Sequence, residues 1–178
     1  MPENAKAAIE KAVSIWEQVV VSAVPITIKV SWTSLNGTTL AQSGATKVHR
    51  NFRNAVYKDV WYPTPLAESI AGADLNNGET DMVVNINKDI NWSYAIDGRA
   101  TVNKYDMVTV ILHEIAHGLG INASFDVSTN ATTNEIQGKW GQSGYAYIYD
   151  VFIIDAFNRQ LIDTKVYGNP SDKLNKIL

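Results

Sequence analysis

Across 178 residues the chain has no cysteine. Disulfides, thiolate metal sites and cysteine nucleophiles are therefore excluded together. Histidine is almost as scarce: His49, His113 and His117 are the only three, which limits how a metal could be held. The three methionines are Met1, Met82 and Met107, so none follows residue 107. No apolar run reaches the roughly 18 residues a membrane span needs. Net charge is −3, with no long basic cluster, so nucleic acid is not an expected partner. The opening Met-Pro-Glu-Asn is polar and has no signal-peptide pattern.

What is present is a globular composition, 46% hydrophobic and 19% charged. The length suits one domain over residues 1–178, with a sizeable core. Residues 4–21 show helical spacing of Ala5, Ala8, Ile9, Ala12, Trp16, Val19 and Val20, and predict an amphipathic scaffold helix. Ile26 to Trp32 alternates and predicts a half-buried strand. Asn36-Gly37 marks a turn, from which Thr38 to Ala41 could return as a second strand. Residues 43–63 predict loops and short strands. Thr64-Pro65 predicts an N-cap and first-turn proline opening a short helix through about Ile70. Asp81 to Asn87 alternates again, either as a sheet strand or as a cleft edge on which an extended peptide could pair. Asp74 and Asp97 could bind calcium, although their spacing matches no EF-hand loop. Residues 121–144 predict a long loop, Asn158-Arg159 a hairpin or a helix end, and the last ten residues a polar periphery.

The strongest signal is Asp106 to Gly120, which contains His113-Glu114-Ile115-Ala116-His117, an H-E-x-x-H pattern. Four residues apart on a helix, His113 and His117 project from one face and can grip one metal ion. Glu114 beside them can reach a metal-activated water without being a ligand. Val108, Ile111, Leu112, Ile115 and Leu119 form a core stripe, so a half-buried helix is expected, with both imidazoles partly shielded from water. Gly120 supplies the helix stop. His49, between charged and polar neighbours, is expected to be a solvated residue rather than a ligand.

A catalytic zinc takes three protein ligands and keeps a position for water. In the metzincin pattern H-E-x-x-H-x-x-G-x-x-H the third histidine would fall at position 123, which is Ala123. No histidine follows His117, so the third ligand should be a carboxylate or a tyrosine. We rank Asp126 first, Asp150 second and Glu135 third.

His113 to Gly120 resembles the zinc-site segment of secreted bacterial zincin metallopeptidases that carry H-E-[LI]-[GA]-H-[GA]-L-G-F. The resemblance extends to Trp16 and Val24-Pro25-Ile26, to Trp61-Tyr62-Pro63, to Leu66–Gly72, and to Asp81–Asn87 followed by Trp92 and Asp97-Gly98. Asp126 and Tyr149-Asp150 also have counterparts there, whereas Ile121 replaces the usual phenylalanine. The resemblance implies an α+β, metzincin-like domain: a twisted mixed sheet, a backing N-terminal helix and the H-E-x-x-H helix. It also implies a secreted protein whose leader has been removed. The expected activity is zinc-dependent cleavage of a protein or peptide substrate, with Glu114 as general base and His113, His117 and Asp126 on Zn2+. Tyr145, Tyr147 or Tyr149 could stabilise the oxyanion. Two other classes fit the same residues: a silent zincin-fold binding module, and a scaffold with a closed structural zinc site.

Overall fold

The computed structural model describes all 178 residues. The chain is mixed α+β. Helix α1 spans Glu3–Trp16, and strands β1 and β2 span Ile28–Thr33 and Ala41–Ala45. Short strands β3 (Val48–His49) and β4 (Tyr62–Pro63) precede helix α2 at Thr64–Ala71. Strands β5 (Met82–Asn87), β6 (Trp92–Ser93) and β7 (Tyr105–Asp106) lead into helix α3 at Met107–Leu119. Strands β8 (Asp126–Thr129) and β9 (Ile136–Lys139), a 3-10 turn at Ile148–Phe152 and helix α4 (Asp172–Asn175) complete it. These elements form two compact units: residues 1–48 with 63–119, and residues 49–62 with 120–178.

The first unit is built on α1, α3 and a three-stranded sheet of order β1-β5-β2. In α1, Ala5, Ala8 and Ala12 have no exposed surface. Three methyl side chains on one face let α3 approach closely. The helix ends at Trp16, short of the predicted residue 21. Beyond it Val19, Val20 and Val21 are β-branched and poor helix formers, and Val21 is 90% exposed. Trp16 closes the end by donating its indole N–H to the Leu112 carbonyl at 3.2 Å.

Strand β5 is central, parallel to β1 (Ile28 opposite Met82) and antiparallel to β2 (Ala41 opposite Ile86). Its alternation places Met82, Val84 and Ile86 in the core with Met107, Ile111 and Ile115 of α3. Each such side chain contributes roughly 1.5–3 kcal/mol on burial. The return strand after the Asn36-Gly37 turn spans Ala41–Ala45 and not Thr38 to Ala41, and it pairs with β5 and not with β1. Of the two readings of Asp81–Asn87, the sheet strand holds and the cleft edge does not, because both flanks are paired. Buried Asn87 secures the turn by accepting from Leu35 N (3.3 Å) and Asp89 N (3.1 Å) and donating to Thr39 O (2.8 Å). At the α2 start Thr64 is the first helical residue and Pro63 the N-cap. The Thr64 hydroxyl donates to Lys47 O at 2.9 Å instead of capping.

The second unit contains the antiparallel β8–β9 hairpin, with Asp126 opposite Lys139. Residues 121–144 are therefore not one long loop. Gly138 packs on α4: a Cβ there would lie 2.5 Å from Asn175 N. Leu174 has no exposed surface and joins Leu161 and Tyr167 in the core of this unit, so the last ten residues are not merely peripheral. The predicted punctuation at Asn158-Arg159 is a turn closed by the bridge between Ile154 and Gln160. Asp155 organises it, accepting from Phe157 N at 2.8 Å and Arg159 N at 2.9 Å and pairing with the Arg159 guanidinium at 2.6 Å. Although burial alone would raise its pKa, hydrogen bonds from Tyr167 and Arg159 outweigh this and hold the carboxyl well below the usual range.

Candidate metal centre

Helix α3 positions the H-E-x-x-H residues. The Asp106 carboxylate accepts from Thr109 N at 3.3 Å at the helix start. Ile111, Ile115 and Gly118 line the buried side. Gly118 is needed there: a Cβ would lie 1.9 Å from Met82 Cε and 3.3 Å from Met82 Cβ, and Met82 has no exposed surface. Strand β2 is tied to the helix by Ser43, whose hydroxyl donates to the Glu114 carbonyl at 2.7 Å.

His113 and His117 meet as their spacing requires. Their Nε2 atoms are 2.8 Å apart, with ring centroids at 4.3 Å and planes at 82°. One ring donates Nε2–H and the other accepts. His113 is exposed and His117 half-buried. The expected shielding therefore applies to His117 and fails for His113, which lies away from the core stripe. Two imidazole nitrogens converging on one point form a metal-donor pair of the right chemistry. Tetrahedral zinc, about 2.0–2.1 Å from each, holds such nitrogens about 3.3 Å apart, so the pair would open by about half an ångström.

Glu114 is 8% exposed, at the border between the histidine face and the core. Its carboxylate has no hydrogen-bond or ion-pair partner in the protein, and its oxygens are not sealed from solvent.

The sequence-nominated third ligands are placed differently. Asp126 heads β8, exposed, and pairs with Lys139 at 3.3 Å. Glu135 is exposed in the hairpin turn and accepts from Thr133 Oγ1 at 3.0 Å. Asp150 is fully buried. It accepts from Ser124 N at 2.8 Å, Tyr147 N at 2.7 Å and the Ser124 hydroxyl, which itself accepts from Gly141 N at 2.7 Å. Both Asp150 oxygens are thus taken by protein donors, and it serves the fold of the second unit. The Tyr147 N–H to Asp150 bond reaches back across the first turn of the 3-10 helix, as the acid of a capping box does, but Tyr-x-x-Asp does not carry the usual capping-box signature. No group of three or more His, Asp or Glu side chains poised for a metal is assembled anywhere. Asp74 and Asp97 instead accept from their local backbones, Asn76 N and Arg99 N. His49 lies half-buried in β3.

Of the three tyrosines, Tyr145 lies under the Arg50 guanidinium at 3.8 Å. Tyr147 donates to Gln142 Oε1 at 2.6 Å, and burial, with Asp150 nearby, raises its pKa. Tyr149 is 38% exposed and its hydroxyl makes no hydrogen bond.

A family model described as SPBPB7E8-like matches residues 2–169. The chain belongs to the SPBPB7E8-like family. The match takes in α3 with His113, Glu114 and His117 as well as Asp126, Asp150 and the 3-10 turn, so the SPBPB7E8-like region includes every residue weighed above as a ligand or general base. No curated protein and no solved structure matches the chain.

Proposed function

We propose that the chain is a zinc-dependent endopeptidase. The observation that carries this reading is the pairing of His113 and His117 Nε2 at 2.8 Å beside a buried, partnerless Glu114 carboxylate. A carboxylate with no protein donor keeps its lone pairs open to accept a proton, as a general base needs. His113 and His117 would hold the metal, with Asp126 the third ligand nominated by sequence. Zinc, when bound, supplies Lewis acidity at the scissile carbonyl and acidifies water. Glu114 accepts the proton of the attacking water and returns it to the leaving amine. Strand β2, an edge of its sheet and tied to α3 through Ser43, is the strand on which an extended substrate would pair its backbone. A secreted location fits this reading.

The test is hydrolysis of a fluorogenic peptide library by zinc-loaded protein, with and without chelator. Chelator-sensitive cleavage with one zinc per chain supports the proposal; zinc binding without any cleavage overturns it. That second result would support the binding-module reading.

A further inference from the structure

A second surface, unrelated to the metal pair, is built in the second unit. Residues 51–59 form a compact loop closed at its neck. Asn51 Nδ2 donates to Asp59 Oδ1 at 2.9 Å, and Asp59 N donates to Asn51 Oδ1 at 2.9 Å. Inside the loop Tyr57 N donates to the hydroxyl of buried Tyr62 at 2.8 Å, and Phe52 packs edge-on to Tyr62 at 5.1 Å. The loop is held by these bonds, and it presents Val56 at 74% exposure. Tyr57 meets Phe152 edge-on at 6.0 Å. Phe152 is 60% exposed, and Ile154, two residues on, is 50% exposed. The Tyr57–Phe152 pair thus lies uncovered, with Val56 and Ile154 exposed close to it in the chain.

In the two segments the exposed charges left without an ion pair have one sign. The two segments contain three acids, Asp59, Asp150 and Asp155. Asp59 pairs with Arg50 at 3.2 Å, Asp155 with Arg159 at 2.6 Å, and Asp150 is buried. Arg53 and Lys58 are exposed and make no ion pair. The loop therefore reads cation, aliphatic, aromatic, cation. Uncompensated cations flanking exposed apolar side chains match an anionic headgroup layer above an acyl boundary.

We propose that this face, formed by Arg53, Val56, Tyr57, Lys58, Phe152 and Ile154, docks weakly and reversibly on anionic lipid surfaces. Two cations and a few apolar side chains give a peripheral attachment, not an anchor. The attachment is independent of metal and of peptide cleavage.

The test is cosedimentation of the full chain with vesicles of phosphatidylcholine alone, or with about one-third phosphatidylglycerol, at low and at physiological salt. Binding is expected only to the anionic vesicles and is expected to weaken with salt. The double variant Arg53→Gln, Lys58→Gln should bind roughly 25-fold more weakly, about fivefold for each cation. Phe152→Ser should lose on the order of tenfold at low salt. All three substituted side chains are exposed, so circular dichroism and Tm should match the parent. Glu114→Gln should bind vesicles like the parent. Equal partition onto both vesicle types, or unaltered binding by the double variant, overturns the proposal. So does absence of vesicle binding together with self-association, or capture of an acidic peptide, that Phe152→Ser abolishes.

Discussion

Glu114 and Asp150 are both buried carboxylates, one in each compact unit, and the protein treats them in opposite ways. Asp150 has no exposed surface and is saturated by Ser124 and Tyr147 donors. Glu114 is 8% exposed and has no protein donor at all. Burying a carboxylate costs free energy unless hydrogen bonds replace its hydration. Protein donors replace that hydration at Asp150, whereas the Glu114 oxygens keep access to solvent. On the proposed function, the donor-free carboxylate beside the converging histidine pair is the one kept for chemistry, and the saturated one is kept for shape. Substitutions at the two positions should therefore separate function from stability.

The largest effect is expected at Glu114. Glu114→Gln should lower peptide cleavage by roughly 10²–10⁴-fold, the usual contribution of a general base. Zinc content, measured by atomic absorption, should remain at the parent level, and Tm should hold. Unaltered cleavage would remove Glu114 from the mechanism.

Asp150→Ala should do the reverse. It leaves Ser124 N and Tyr147 N without acceptors in a buried place, at a cost of about 3–5 kcal/mol in chemical denaturation. Asp150→Asn should lose less, since one carbonyl oxygen remains. A parent-like midpoint for Asp150→Ala would remove the contrast with Glu114. Asp126→Ala tests a third kind of carboxylate, exposed and paired only with Lys139. As a surface ion pair it should contribute at most about 1 kcal/mol to stability. As a zinc ligand its loss should sharply lower bound zinc, and full zinc occupancy would end that assignment.

The contrast was only half legible in the sequence. The four-residue spacing of His113 and His117 is a local property of one helix, and the rings do meet. Met82, Val84 and Ile86 alternate within one strand, and all three are buried. By contrast, the insertion of β5 between β1 and β2 depends on pairing over some fifty residues, which no local pattern carries. Asp150 looked like a ligand candidate because an acid after an H-E-x-x-H motif invites that role. Its saturation by Ser124, a residue far along the chain, is a tertiary fact. Leu174 stood alone among polar neighbours, and only the packing of Gly138 on α4 makes it core.

Gly118→Ala probes the support under the histidines. The added methyl must displace Met82, which is fully buried beneath it, at a cost of about 1–3 kcal/mol from overpacking. Met82→Ala should relieve part of that cost in the double variant, a coupling that a thermodynamic cycle would detect. Strict additivity would mean that α3 shifts instead of pressing on Met82.

Glu68 sharpens the comparison at its fine end. It is buried like the other two, but only partly offset: its Oε1 accepts from Leu75 N at 2.9 Å. Burial raises its pKa above the ordinary value, with Asp81 and Asp74 adding to the rise and the Leu75 hydrogen bond opposing it. A carboxyl whose folded pKa is raised binds its proton more tightly when folded than when unfolded. Stability from this group is therefore greatest when it is protonated, and falls as pH climbs from the ordinary carboxyl range through the raised value. Glu68→Gln, which keeps an acceptor for Leu75 N, should flatten that part of the stability curve, as read from denaturation midpoints between mildly acidic and neutral pH. A slope unaltered by the substitution would place Glu68 with Asp150, fully offset, and not between Asp150 and Glu114.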